Sequence, residues 1–325
     1  MSSIRFKNVF IKNYYSVAGP LESRGKLKGI NEKLDDYYFK EKTFERAEIK
    51  MQQKVIDGIL KNNNLSDNEI SALIGGDLIN QISISSYSAR DYNFPFLGVY
   101  SACSTFVQSL LMGAMLVDGY KYNNVLAITS SHNLTAERQY RYPVEYGAPK
   151  RKTTTFTTTG SVGALLTNKM TNIKLECATI GKVIDKGIND VSNMGAVMAP
   201  AASDTLQRHL KEFNRDINYY DLILTGDLGC VGATIFKEYT KKVFKINIKK
   251  HMDAGCEIFL DSEEVYAGGS GPVCLPLVLF HKVLKSKKYK KILILGTGSL
   301  HSVNLINQHN TIPAISHAVS LEVLS

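Results

Sequence analysis

Cys103 stands out chemically in this chain. It follows the β-like run Leu97-Gly-Val-Tyr100 and opens an apolar helical stretch beginning at Ser104. A thiol at a helix start meets unpaired backbone N–H groups and the positive end of the helix dipole, which favour thiolate. The ordinary alternative is a small buried hydrophobe packed beside Ala102. A nucleophile needs a base within hydrogen-bond reach. Four residues at predicted strand ends qualify: His132 in Thr129-Ser-Ser-His132, His301 in Gly296-Thr-Gly-Ser-Leu-His301, and Asp77 and Asp227 in two Gly-Asp-Leu turns. Each also has a structural reading, because loop histidines hold backbone and aspartates close Asx turns. His209, His251, His281, His309 and His317 read as surface, and Cys177, Cys230, Cys256 and Cys274 as packing residues. No metal-ligand spacing such as HxxxH occurs.

After His132 the chain runs through Glu137-Arg-Gln-Tyr-Arg-Tyr-Pro143, Tyr146-Gly-Ala-Pro-Lys-Arg-Lys152 and a Thr-rich segment over 153–159. That is too long for a simple connection, and long excursions in compact domains are usually functional. Arginine offers planar donors for carboxylates and tyrosine offers stacking faces, so a small aromatic acid suits such a lining. The structural alternative pairs Arg138 and Arg141 with Glu137 and Glu145. No Walker loop or GxGxxG follows a strand, which removes the signal for nucleotide binding.

The elements that must position these groups repeat. Residues 43–60 have helical periodicity and lead to Ile70-Ser-Ala-Leu-Ile-Gly-Gly-Asp-Leu78; residues 199–213 lead in the same way to Tyr220-Asp-Leu-Ile-Leu-Thr-Gly-Asp-Leu228. The segment from Tyr100 aligns with the segment from Tyr266, and the same offset carries Val125-Leu-Ala-Ile-Thr129 onto Lys291-Ile-Leu-Ile-Leu295. Alternating β-rich and helical stretches indicate crossover units and mainly parallel strands. The expectation is two related α/β halves, 1–170 and 171–325. Residues 104–117 are apolar almost all round and predict a buried central helix, with residues 272–284 as its counterpart. Ligands in such sheets lie beyond the carboxyl ends of the strands, here between the halves.

With 44% hydrophobic and 21% charged residues, the 325-residue chain is globular rather than disordered. Its longest apolar stretch, 110–117, falls far short of the ~20 residues of a membrane span. The N-terminus, with Arg5, Lys7 and Lys12, has no secretory h-region. Five cysteines without a CxxC pair predict reduced thiols. Basic residues outnumber acidic ones, 39 to 30, and clusters at 241–250 and 285–291 read as solvated faces. No nucleic-acid motif accompanies them.

The duplicated halves with a cysteine opening a buried helix resemble the thiolase superfamily. More narrowly, Ala18-Gly-Pro-Leu-Glu22, Thr43-Phe-Glu-Arg-Ala-Glu48, Tyr100-Ser-Ala-Cys-Ser-Thr105, Thr129-Ser-Ser-His132, Ala136-Glu-Arg-Gln-Tyr-Arg-Tyr-Pro143, Glu145-Tyr-Gly147 and Ile312-Pro-Ala-Ile-Ser-His-Ala318 resemble the stage V sporulation AD family of endospore-forming bacteria. The resemblance covers essentially the whole chain. It implies a thiolase-like α/β fold, with mixed sheets around buried central helices. It also implies binding of dipicolinic acid (pyridine-2,6-dicarboxylate), or its calcium chelate, for uptake into the developing spore, with no cofactor and no metal site of the protein's own. The implied partners are other proteins of the same operon at the spore inner membrane, where the chain would sit peripherally on the cytoplasmic side, and a second copy in a homodimer.

Condensing enzymes of the superfamily combine the cysteine with a His and an Asn, or with a second His and Cys, from the second half. Here the corresponding positions read Gly226-Asp227 and Gly269. Each missing oxyanion donor costs roughly 3–4 kcal/mol in acyl transfer, so Cys103 is a vestigial catalytic candidate. The expected ligand set is Cys103, Ser104, His132, Arg138, Arg141, Asp227 and His301. The competing readings are an acyl-transferring enzyme that uses Cys103 with His301 or His132 as base, and a scaffold for membrane channel proteins.

Overall fold

The computed structural model describes residues 2–120, 122–141, 150–261 and 265–324. The first half comprises β1 (Ser3–Arg5), β2 (Phe10–Ala18), α1 (Pro20–Ser23), β3 (Glu32–Lys33), α2 (Phe44–Asn63), β4 (Ala72–Gly76), α3 (Ser83–Ala89), β5 (Phe96–Gly98), α4 (Thr105–Tyr120), β6 (Val125–Ser131), α5 (Asn133–Tyr140), β7 (Phe156–Thr157) and β8 (Gly160–Thr167). The second comprises β9 (Ile173–Thr179), α6 (Met194–Glu212), β10 (Leu222–Thr225), α7 (Gly229–Phe244), β11 (His251–Asp253), β12 (Gly269–Ser270), α8 (Cys274–Val278), β13 (Lys291–Ser299), α9 (Val303–Asn307) and β14 (Ala314–Val323).

Strand order explains the repeat. The main path is β11-β10-β13-β14-β9-β2-β8-β6-β4-β5, the same succession read from either end. β10 lies parallel to β11 and β13, and β4 parallel to β5 and β6, as crossover units require. The two halves are not separate sheets. β2 joins β9 through Phe10↔Lys174 and Ile11↔Ile173, which makes one twelve-stranded sheet.

The helix expected over 43–60 forms as α2, where Thr43 caps the start by accepting from Arg46 N at 3.3 Å. Its Ala47, Met51, Val55, Ile56 and Ile59 are buried against the first-half strands. α6 does the same for the second half, starting five residues earlier than the 199 expected. α4 lies between the halves. A methyl group on its Gly113 would meet Leu166 of β8 at 2.7 Å, and one on Gly296 of β13 would meet Val107 of α4 at 2.9 Å. Phe106, Val107, Leu110 and Ala114 are buried there, contributing roughly 1.5–3 kcal/mol for each large side chain. With its preceding turn, Ala102–Tyr120 is the one described helix long and apolar enough to cross a membrane, and most of it is core. Its counterpart α8 continues as a wider turn, in which Phe280 stacks on Tyr14 at 4.2 Å and meets Phe106 edge-on at 6.1 Å.

Two expectations are corrected here. Cys230 and Cys256 are not separate reduced packing residues; they form a disulfide, with Cα atoms 5.5 Å apart. The parallel pairing of β10 with β11 brings the first turn of α7 beside the turn after β11, and a separation of 26 residues hides this from local patterns. His209, His281 and His317 are buried rather than surface, each held by an interior polar group. His281 meets Ser16 Oγ at 2.7 Å, His209 meets Thr179 Oγ1 at 2.8 Å and the Tyr220 hydroxyl at 2.6 Å, and His317 Nδ1 accepts from Gly181 N at 3.1 Å.

Candidate functional site

The site begins with a strained turn. Ala102 sits at φ +50°, a left-handed conformation that costs a non-glycine residue about 1–2 kcal/mol. The turn is fixed by Thr105, whose Oγ1 donates to Ala102 O at 2.6 Å and accepts from Ser101 N at 3.2 Å. Strand ends crowd it from both halves: a Cβ on Gly76 would lie 1.9 Å from Val99 O, and one on Gly298 would lie 2.2 Å from Ser101 O. The following residue, Cys103, is thereby aimed into a narrow cleft of about 60 Å³. Leu78, Ala136, Tyr140 and Arg141 line it from the first half, and Val191, Met194, Met198, Ser299 and His301 from the second. Thr157 and Ser270 come from the short parallel pair β7 and β12, through which the excursion of the first half grips the second-half glycine loop.

Asp227 stands behind the thiol. Its Oδ1 accepts from Thr297 Oγ1 at 2.7 Å, and its Oδ2 accepts from Gly271 N at 2.8 Å and Ser270 Oγ at 3.3 Å. The Cys103 thiol lies close to this carboxylate. Burial pushes Asp227 up to about 6 despite these donors. Burial and the Asp227 charge push Cys103 well above the ordinary thiol range. Desolvation and the facing carboxylate thus oppose the thiolate that the helix start favours.

Asp253, missed in the sequence, holds this arrangement. Its oxygens accept from Thr225 Oγ1 at 2.6 Å and from Leu228 N, Gly229 N and Gly255 N at 3.0 Å, which fixes the turn that carries Asp227. Its only sequence signal is its place at a strand end. At Gly269, the position that repeats Cys103, a Cβ would already lie 3.0 Å from Thr158 Oγ1, 3.2 Å from the Phe259 ring and 3.3 Å from Cys274 Sγ, so a cysteine there has little room.

Of the seven expected ligand residues, Cys103, Arg141 and His301 reach the cleft wall, and Asp227 lies directly behind Cys103. Three point elsewhere. Ser104 is fully buried and accepts from His317 N at 3.4 Å. His132 caps α5: Nδ1 accepts from Leu134 N at 3.2 Å, Nε2 lies 2.8 Å from Tyr37 O, and burial lowers its pKa to about 4. Arg138 pairs with Glu45 and lies over the Phe44 ring at 5.6 Å, bracing α2. Arg141 pairs with Glu137, which Lys150 approaches at 3.5 Å. Glu145 and the Tyr146-Gly147 part of the excursion lie outside the described residues.

The polar wall is cationic at one end. His301 lies beside Arg141, and burial and that charge lower its pKa, leaving a neutral ring with one N–H to donate. It packs against the Tyr140 ring at 5.4 Å, and the Tyr140 hydroxyl donates to Leu78 O at 2.5 Å. Calcium does not fit the chain's own residues. Among the described residues no group of three or more His, Cys, Asp or Glu is placed to hold a metal, and both Asp227 oxygens are already engaged.

Comparison with known structures gives the fold. A variant of OleA from Xanthomonas campestris superposes with a TM-score of 0.64 at 14% identity, covering 98% of this chain and 99% of that one. The 3-oxoacyl-[acyl-carrier-protein] synthase III of Aquifex aeolicus VF5 gives 0.55 at 13% identity, covering 99% and 100%. The architecture is thus that of the thiolase-like superfamily. At the level of sequence, stage V sporulation protein AD of Bacillus subtilis (strain 168) is 41% identical over 318 residues, 97% of this chain and 94% of the relative. The family model described as stage V sporulation protein AD (SpoVAD) matches residues 2–322. With both matches spanning nearly its whole length, this thiolase-like chain belongs to the stage V sporulation protein AD family.

Proposed function

We propose that the chain binds pyridine-2,6-dicarboxylate, free or as its calcium chelate, for uptake into the developing spore, in a thiolase-fold cleft that no longer condenses acyl groups. The observation that carries this reading is the pairing of Cys103 with Asp227. A carboxylate behind the thiol opposes thiolate formation and supplies no oxyanion donor, whereas Arg141 and His301 give the same cleft donors for a carboxylate. Met194, Met198 and Val191 offer an apolar wall to an aromatic ring. Any calcium is cargo carried by the ligand, since among the described residues no cleft carboxylate is free to take it over. The protein would act as a homodimer, docked peripherally on the cytoplasmic side of the spore inner membrane with proteins of its operon. The outermost strand on the Cys103 side, β5, with exposed Leu97, is an edge available for pairing.

Calorimetry with dipicolinate tests the reading. Saturable binding at millimolar ligand or below is expected, and a folded protein that shows none refutes it. The rival acyl-transfer reading predicts a covalent adduct on incubation with acyl-CoA thioesters that is lost in Cys103→Ser; the expected intact mass is unchanged.

A further inference from the structure

The two lysine clusters are far apart in sequence, yet the fold brings them to one end of the second half. Five lysines lie between residues 241 and 250 and four between 287 and 291. The first run occupies the last turn of α7 and the link into β11; the second leads into β13. Because β11, β10 and β13 are parallel neighbours, their starts share an edge. The clusters meet across Tyr219 and Tyr220: Lys250 Nζ donates to Tyr220 O at 3.3 Å, and Lys291 Nζ sits 4.1 Å over the Tyr219 ring. Lys245 and Lys249 also share a surface depression of about 520 Å³ with Lys211 and Arg215.

Little of this charge is paired within the protein: Asp221 acts on Lys250 and Lys291, and Glu322, opposite Lys291 on β14, acts on Lys291. Among the described residues none of the nine lysines forms an ion pair, whereas nearby Lys282 pairs with Glu257. The local carboxylates are largely engaged: Asp221 accepts from the Lys290 and Lys291 amides at 2.9 Å, and Glu176 is taken by Arg215. Val243, half exposed, stands between Lys242 and Lys245.

We propose that this end is a docking face for an anionic phospholipid bilayer. The charges of both runs are lysine throughout, point cations on long stems suited to a diffuse layer of headgroups, and Val243 adds an apolar contact at the same level. A nucleic-acid face would be expected to carry arginine forks and open aromatic platforms for bases, and neither run contains an arginine. The orientation follows from β13, whose first residue is on the basic edge and whose last, Ser299, lines the cleft. At about 3.3 Å per residue, the length of β13 separates the cleft from the basic edge by roughly 25 Å.

The test is co-sedimentation of the full chain with vesicles of phosphatidylcholine alone or containing phosphatidylglycerol. Binding is expected only to the anionic vesicles and should be lost in high salt. The quadruple variant Lys245→Gln, Lys249→Gln, Lys287→Gln, Lys290→Gln should lower the partition coefficient on the order of a hundredfold. A charge-matched control, Lys33→Gln, Lys40→Gln, Lys182→Gln, Lys186→Gln, should stay within about threefold. Equal losses in both variants would reduce the effect to net charge and overturn the proposal. So would the absence of binding to anionic vesicles, with or without retention on duplex DNA.

Discussion

Asp77 and Asp227 occupy the same place in the two halves, after a buried strand and inside the same Gly-Asp-Leu turn, yet their carboxylates are used differently. Asp77 is satisfied within its own neighbourhood: Ile79 N donates at 2.9 Å, and Ser85 N and Oγ both at 2.8 Å. It belongs to an interior network with Glu48, Gln52 and Ser130, in which burial and mutual repulsion raise both acids. Asp227 draws its partners from 43 to 70 residues away and faces a thiol at the cleft. A duplicated turn therefore provides a strong acceptor in each half. It becomes part of a site only where distant loops converge on it.

The comparison can be broken by substitution. Asp77→Ala leaves buried Ser85 and Ile79 donors unsatisfied and should cost roughly 3 kcal/mol of stability in urea unfolding, with the alkylation rate of Cys103 unchanged within about twofold. Asp227→Asn should do the reverse at the thiol. Removing a facing negative charge lowers the Cys103 pKa, so alkylation at pH 8 should rise roughly tenfold. If both variants alter Cys103 alike, the contrast between the two aspartates fails.

The two arginines of α5 and its end sharpen the same distinction. Arg141→Gln removes a cleft donor and should weaken dipicolinate binding about ten- to a hundredfold by calorimetry. Arg138→Gln removes a half-exposed pair with Glu45. It should leave affinity within about twofold and change stability by less than about 1 kcal/mol. Affinity lost equally in both would move the ligand toward α2.

What the sequence disclosed follows the same local and non-local division. α2, the two strand-end turns and Cys103 at a helix start were legible because periodicity, capping and turn chemistry are set by residues close in the chain. Arg138 and Arg141 were not separable, since helical spacing would put both on one face. Arg141 instead caps the end of α5 in a non-helical conformation and reaches the cleft, while Arg138 faces Glu45. The role of Asp253, the burial of His209, His281 and His317, and the Cys230–Cys256 bond depend on which strands become neighbours, and no short pattern encodes that. The lysine runs were visible individually, but their meeting across Tyr219 and Tyr220 required strand order.

The smallest expected effect is a dependence of stability on pH, and its sign follows from two opposed sets of groups. Burial raises Glu22 and Asp253 to about 7. One Glu22 oxygen has no partner among the described residues, consistent with a carboxyl that resists ionisation. A raised carboxyl holds its proton in the folded chain after the unfolded chain has lost it, so its contribution to stability falls as pH rises, from the unfolded pKa near 4 to the folded value near 7. His132, His251, His281 and His317, lowered by desolvation to about 4, and His209, lowered to about 3, act oppositely. Their contribution rises with pH until the unfolded imidazoles lose their protons near about 6.5. Below about pH 6 the two sets oppose each other. From about pH 6.5 to 8 the carboxyls act alone, and Glu22 and Asp253 should each cost ~1 kcal/mol. Urea unfolding at the two pH values should therefore show lower stability at pH 8, and Glu22→Gln should remove only part of that difference, because Glu48, raised to about 8, titrates in the same window. A wild-type protein equally stable or more stable at pH 8 would show that these interior acids are already ionised at the lower pH.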